Sequence, residues 1–139
     1  MSQRIYKFRA WDKENKRMWW NVQNAYDTLG NHHTEDQNME NEEMADVFFP
    51  SNFGEVLESE NLVVMQFTGL KDKNGKEIFC GDILAGTDHS KSGEVKWNES
   101  EARYKLYIPQ EKSFGLEYAH ARLIEIIGNI HENPEFLTP

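Results

Sequence analysis

Near the amino end, apolar Tyr6, Phe8 and Ala10 alternate with Lys7 and Arg9, a period of two that predicts a half-buried strand with one charged face. The polar run DKENK then supplies a turn, and Met18 to Val22 reads as the return strand of a hairpin. Alternation resumes at NLVVMQFTGL, where Val63, Met65 and Phe67 share one face, and leads into KDKNGKEIF. The Asn74-Gly75 pair there is a strong hairpin signal, because both residue types tolerate the positive φ values of a type I′ turn. Beyond it, EIFCGDIL, SGEVKW, ARYKLYI, SFGLEY and LIEIIGNI follow one another at short, even intervals. Short strands spaced in this way, punctuated by Gly, Ser and Asn, predict a small barrel or sandwich. GDIL, a loop and then GEVKW suit an SH3-like barrel.

Between these β-patterned ends the character changes. Residues 24 to 61 are polar and acidic, and NMENEEMADVFF places Met39, Met44, Val47 and Phe48 at rough helical spacing before Pro50, which predicts a short acidic helix near 39 to 48. The expected architecture is therefore mainly β. An amino-terminal β-hairpin region, 1–70, carries a variable acidic insertion at about 28–59, and 71–139 forms an SH3-like small β-barrel.

Charge sharpens this division. The net charge is −9, yet from Met18 to Leu70 there is no Lys or Arg, while Asp27, Glu35, Asp36, Glu40, Glu42, Glu43, Asp46, Glu55, Glu58 and Glu60 all lie there. All 15 basic residues therefore fall outside that segment. A phosphate backbone is held by clustered Lys and Arg, so the overall sign argues against generic nucleic-acid binding without removing a local basic face. No apolar run approaches the roughly 20 residues of a membrane span, and the amino end is charged where a signal peptide is apolar. The expectation is a soluble protein of the host-cell cytoplasm with no membrane partner.

Three blocks, FRAWDKENKRM, MQFTGLKDKNGKEIFCGDIL and IEIIGNIHENPEFL, in this order and spacing, resemble the YopX family, which is encoded largely by bacteriophages and prophages. The resemblance spans nearly the whole chain, and its middle block is the most distinctive. It implies a mostly β phage protein without an established activity. No catalytic or binding residue can be transferred from it.

The chemistry-bearing residues point the same way. His32 and His33 beside Glu35 and Asp36 lack the i, i+2 or i, i+4 spacing that aims two imidazoles at one ion. His89, His120 and His131 are scattered, and no Ser or Cys stands in a nucleophile elbow. The single Cys80 excludes an internal disulfide and is expected in or beside a strand as a small apolar residue. Glu99 and Glu101 fall in a turn, and Asp82 suits an Asx cap better than a base. The expectation is a protein with no catalytic residues, metal or cofactor.

One constellation could form a contact surface: Lys7, Arg9, Trp11, Trp19 and Trp20, interleaved basic and aromatic residues of the kind a single-stranded nucleic-acid platform uses. The plainer alternative, aromatics in the core and charges on a solvated face, is favoured because Tyr6 and Phe8 lie opposite Lys7 and Arg9. An exposed tryptophan there would mark a contact surface. The sequence thus favours a non-enzymatic protein-binding module acting on an unknown host or phage protein. A nucleic-acid-associated protein using the basic aromatic hairpin is the alternative.

Overall fold

The computed structural model describes residues 5–24, 50, 52–86, 91–111, 113–116 and 124–137. Its contacts divide the chain into two compact units, Tyr6–Gln66, and Met1–Ile5 with Phe67–Pro139. The described residues are mainly β: two antiparallel sheets with little helix. No helix among them is long and apolar enough to cross a membrane. The helix expected near 39 to 48 lies outside the described residues.

In the unit Tyr6–Gln66, β1 (Phe8–Asp12) and β2 (Arg17–Trp20) form the expected hairpin, with Ala10 opposite Trp19 and Trp11 opposite Met18. A 3-10 turn, Val22–Asn24, follows, and Gln23 Oε1 accepts the Phe8 N–H at 3.0 Å. On its other side β1 pairs with the first half of β3 (Leu62–Lys71), Ala10 lying opposite Val64. On the face expected to be solvated, Arg9 lies opposite Trp20 and Met65 with its guanidinium over the Trp20 ring, and this corrects the sequence expectation. Arg9, Ala10, Trp11 and Asp12 are all buried, while Tyr6, expected in the core, is exposed. Ala10, Trp19, Val22, Val56 and Leu62 make the core, with Phe8 and Phe53 packed against it.

The sequence reading missed the helix α1 (Phe53–Glu58), which contributes Val56 to that core. Its signal was present: Asn52 caps it, the side chain accepting the Glu55 N–H at 2.9 Å, in an N-x-x-E arrangement that marks a helix start.

The second unit begins with the KDKNGKEIF hairpin, joining the end of β3 to β4 (Glu77–Phe79). The turn differs from the type I′ form expected. Only Gly75 takes positive φ, at 80°, Asn74 staying on the ordinary side. The Gly75 N–H donates to Asp72 O at 2.9 Å and the Asp72 N–H to Lys76 O at 2.8 Å, a three-residue loop closed by a glycine bulge. Gly75→Val, a β-branched residue in a left-handed position, is expected to lower stability by about 1–2 kcal/mol, and a thermal melt checks it.

Five further strands follow: β5 (Asp82–Ala85), β6 (Ser92–Asn98), β7 (Arg103–Tyr107), β8 (Phe114–Gly115) and β9 (Glu125–Asn129). Among the described residues they form one antiparallel sheet in the order β8-β7-β6-β5-β9. Period-two alternation sets its faces: Leu84, Val95 and Leu106 turn inward with Ile78, Leu116 and Ile124 to form the core of this unit. Gly93 lies directly under Leu106, where a Cβ would come within 2.9 Å of Leu106 Cγ. Cys80 is half-buried in the turn between β4 and β5.

Candidate contact surface

The structure distributes the five sequence-selected residues. Arg9 and Trp20 come together, the guanidinium lying 5.5 Å from the indole centroid. Trp20 and Lys7 are half-buried. Arg9 is only 2% exposed, and Trp11 and Trp19 are buried as well. Trp19 Nε1 donates to Asp12 Oδ2 at 3.2 Å, which satisfies the one polar atom of its ring inside the core. Three of the five therefore sit within the fold.

Besides Tyr6 near the amino end, exposed aromatic surface is found on the β6–β7 hairpin. Trp97 is 46% exposed and lies directly opposite Tyr104, their ring centroids 5.0 Å apart at an interplanar angle of 70°, an edge-on pair. Trp97 follows Val95 on the inward face of β6, but two residues nearer the turn, so its ring extends past the packed core. Phe114, also 46% exposed, stands opposite Leu106 on β8.

The turn that holds this end of the hairpin is built by Asn98. Its Oδ1 accepts from Ser100 Oγ and from the Glu101 N–H, both at 2.8 Å, and its Nδ2 donates to the Tyr107 hydroxyl at 2.9 Å. Ala102 completes the turn at a φ of 53°.

Charged groups on the other face of the hairpin are paired with one another. Lys96 and Lys105 face each other across the strands, a repulsive placement relieved by two glutamates. Glu101 accepts from Lys105 Nζ and, at 3.0 Å, from Arg103, while Glu94 lies 3.8 Å from Lys96. The hydrogen bond from Lys105, then that from Arg103, holds the Glu101 carboxyl below its ordinary range despite some desolvation. Burial pushes Glu94 the other way, above its ordinary range, with Lys96 only partly opposing it. Lys96 also lies 5.4 Å from the Tyr107 ring centroid. The surface offers aromatic contact area rimmed by paired charges. The paired charges are three cations, Lys96, Arg103 and Lys105, against the carboxylates of Glu94 and Glu101.

No group of three or more His, Cys, Asp or Glu among the described residues could hold a metal ion. His32, His33, Glu35, Asp36, His89 and His120 lie outside them. The buried carboxylates are occupied by protein donors: Asp82 Oδ2 accepts the Phe79 N–H at 2.7 Å, closing the turn around Gly81. Asp72 accepts three backbone N–H groups, those of Asn74 and Lys76 at 2.9 Å and of Ile126 at 3.0 Å. Asp12 accepts from the backbones of Glu14 and Asn15 and from the side chains of Asn15, Asn61 and Trp19.

The family model described as YopX protein matches residues 7–138. The chain belongs to the YopX family. A crystal structure of protein EF1440 from Enterococcus faecalis is similar at 29% identity, covering 98% of this chain and 100% of that one with a TM-score of 0.59. The crystal structure of yopX from Bacillus subtilis is 19% identical, with 95% and 98% coverage and a TM-score of 0.51, a likeness of fold. No curated protein matches. The blocks that carry the YopX resemblance are fold-determining ones. Asp12 closes the turn in the first, and Asp72 and Asp82 close turns in the second. In the third, Asn129 Oδ1 accepts the N–H groups of His131 and Glu132 at 3.0 and 2.9 Å. Trp97 and Tyr104 lie between these blocks.

Proposed function

We propose that this YopX chain is a non-enzymatic phage or prophage accessory protein, a protein-binding module of the host-cell cytoplasm. The half-exposed Trp97, held edge-on by Tyr104 beside paired charges, carries the reading. A large aromatic ring kept rigid at low entropic cost is the kind of residue that dominates protein interfaces. We read 71–139 as an SH3-like barrel presenting this ring. The antiparallel order β8-β7-β6-β5-β9, with GDIL on β5 and GEVKW on β6, supports that reading. The acid-only segment from Met18 to Leu70 supplies a second, electrostatic element that favours a partner with a basic surface. The bound donors on Asp12, Asp72 and Asp82 support a structural role for them, not an acid–base one.

A nucleic-acid partner is the less supported alternative, since burial of Arg9, Trp11 and Trp19 removes most of the stacking platform it requires. Tagged wild-type chain and Trp97→Ser, each incubated with nuclease-treated host lysate, test the proposal. A discrete partner protein is expected with the wild type, reduced about tenfold or more with Trp97→Ser, because a central aromatic anchor of this type carries roughly 2 kcal/mol. Capture that disappears with nuclease, or that is unaffected by Trp97→Ser, contradicts it.

A further inference from the structure

Asn74 is the one asparagine of the chain followed by glycine, and both residues are exposed at the tip of the 72–76 loop. Nothing beyond its two chain neighbours lies within 4 Å of where a Gly75 Cβ would be, and glycine itself puts no side chain beside the peptide nitrogen that follows Asn74. In that arrangement the Gly75 nitrogen can add to Asn74 Cγ. The Asn74 Cγ–Nδ2 bond breaks, ammonia leaves with the proton from the Gly75 nitrogen, and a five-membered succinimide remains. Water then opens either carbonyl. Breaking the bond to Cγ gives an aspartate in place of Asn74, and breaking the bond to the backbone carbonyl carbon gives isoaspartate, with the chain routed through the former side chain.

Two features of the native turn oppose this. The nucleophilic Gly75 nitrogen is engaged as a donor to Asp72 O at 2.9 Å, and the Asn74 N–H is fixed by Asp72 Oδ1 at 2.9 Å. The Asn74 side chain itself is held weakly, donating to Glu125 Oε2 at 3.4 Å. Reaction therefore requires the turn to open, and the buried Asp72 carboxylate, which also holds Lys76 and Ile126, is what keeps it closed. We propose that Asn74 is a self-modification site of this protein, converted through a succinimide to aspartate and isoaspartate and held in check by Asp72. The product is disruptive. A carboxylate replaces the amide that donated to Glu125, turning an attraction into a like-charge contact, and isoaspartate lengthens the backbone ahead of Gly75, displacing the N–H that Asp72 O accepts.

The test is ageing of the full-length chain at mildly alkaline pH, with peptide mass mapping and isoaspartate detection, in native buffer and in urea. Modification at Asn74 ahead of every other asparagine is expected in both, slower in native buffer by roughly tenfold. Asn74→Gln should abolish the signal, and Asp72→Asn in native buffer should bring the rate toward that in urea. The native-to-urea comparison stands even if Asp72→Asn does not fold. Modification elsewhere first, equal rates in native buffer and urea, or a folded Asp72→Asn that reacts no faster than wild type would overturn the proposal.

Discussion

Asp12→Ala is expected to lower the unfolding free energy by about 3–5 kcal/mol, read as a shift in the urea midpoint. Asp12 is 1% exposed and ends β1, where its two carboxylate oxygens accept from Glu14 N–H, Asn15 N–H, Asn15 Nδ2, Asn61 Nδ2 and Trp19 Nε1 over 2.8–3.2 Å. Alanine removes the acceptor and strands donors that are partly or wholly buried. The Trp19 indole N–H loses most, since it lies inside the core. Asn61 also accepts the Glu14 N–H through Oδ1 at 2.8 Å, and its carbonyl accepts the Lys13 N–H at 3.1 Å. The carboxylate thus fastens the first hairpin turn to the residue that precedes β3. Asp12→Asn keeps the shape but points a donor at donors, and is expected to recover less than half of the loss.

Asp72→Ala is expected to be nearly as damaging, by about 2–4 kcal/mol, because three backbone N–H groups lose their acceptor and one of them, from Ile126, ties the loop to β9. The backbone also links the loop to that segment through the Lys73 N–H, which donates to Ile124 O at 3.0 Å. Asp12 and Asp72 both have carboxyl pKa values lowered from the ordinary 3.8. Burial alone would raise both. For Asp12 the donors Asn15, Asn61 and Trp19 outweigh it, and for Asp72 the backbone N–H groups of Ile126, Lys76 and Asn74 do, helped by the Lys76 charge. A carboxyl depressed in the folded state contributes stability that is fully present above the unfolded value and is lost as pH falls through the folded one. The wild type should therefore hold its midpoint from neutral pH down toward 3.8 and lose it below, while the gap between wild type and Asp72→Ala narrows over that same acid range. A gap that stays constant under acid would show that the Asp72 charge contributes nothing.

What the sequence made legible follows the range of the interactions involved. The β1–β2 hairpin, the strand set after residue 76 and the Gly75 turn depend on alternation and on local backbone preference, and both are written in short windows. Asn52 with Glu55 was equally local, but α1 is six residues long and sits in an acidic stretch whose polarity masked it. Arg9 misled because alternation assigns a face without saying what covers it, and the covering ring, Trp20, comes from the neighbouring strand. The Asp72 hub was out of reach for a different reason: its decisive partner, Ile126, is 54 residues away. Trp97 was missed because the same period that buries Val95 assigns Trp97 to the same face. Only the position of the hairpin turn, set by Asn98, shows that the sheet's core ends before that ring.

Residue-specific photo-crosslinking tests the binding account most directly. A photoreactive residue at Glu99, exposed in the turn beside Trp97, should yield a discrete protein adduct in host lysate that survives nuclease and disappears with Trp97→Ser. The same residue at Glu14, in the first hairpin, should yield none. Adducts from Glu14 alone, or adducts from either site that vanish on nuclease treatment, would contradict a protein-binding surface at Trp97.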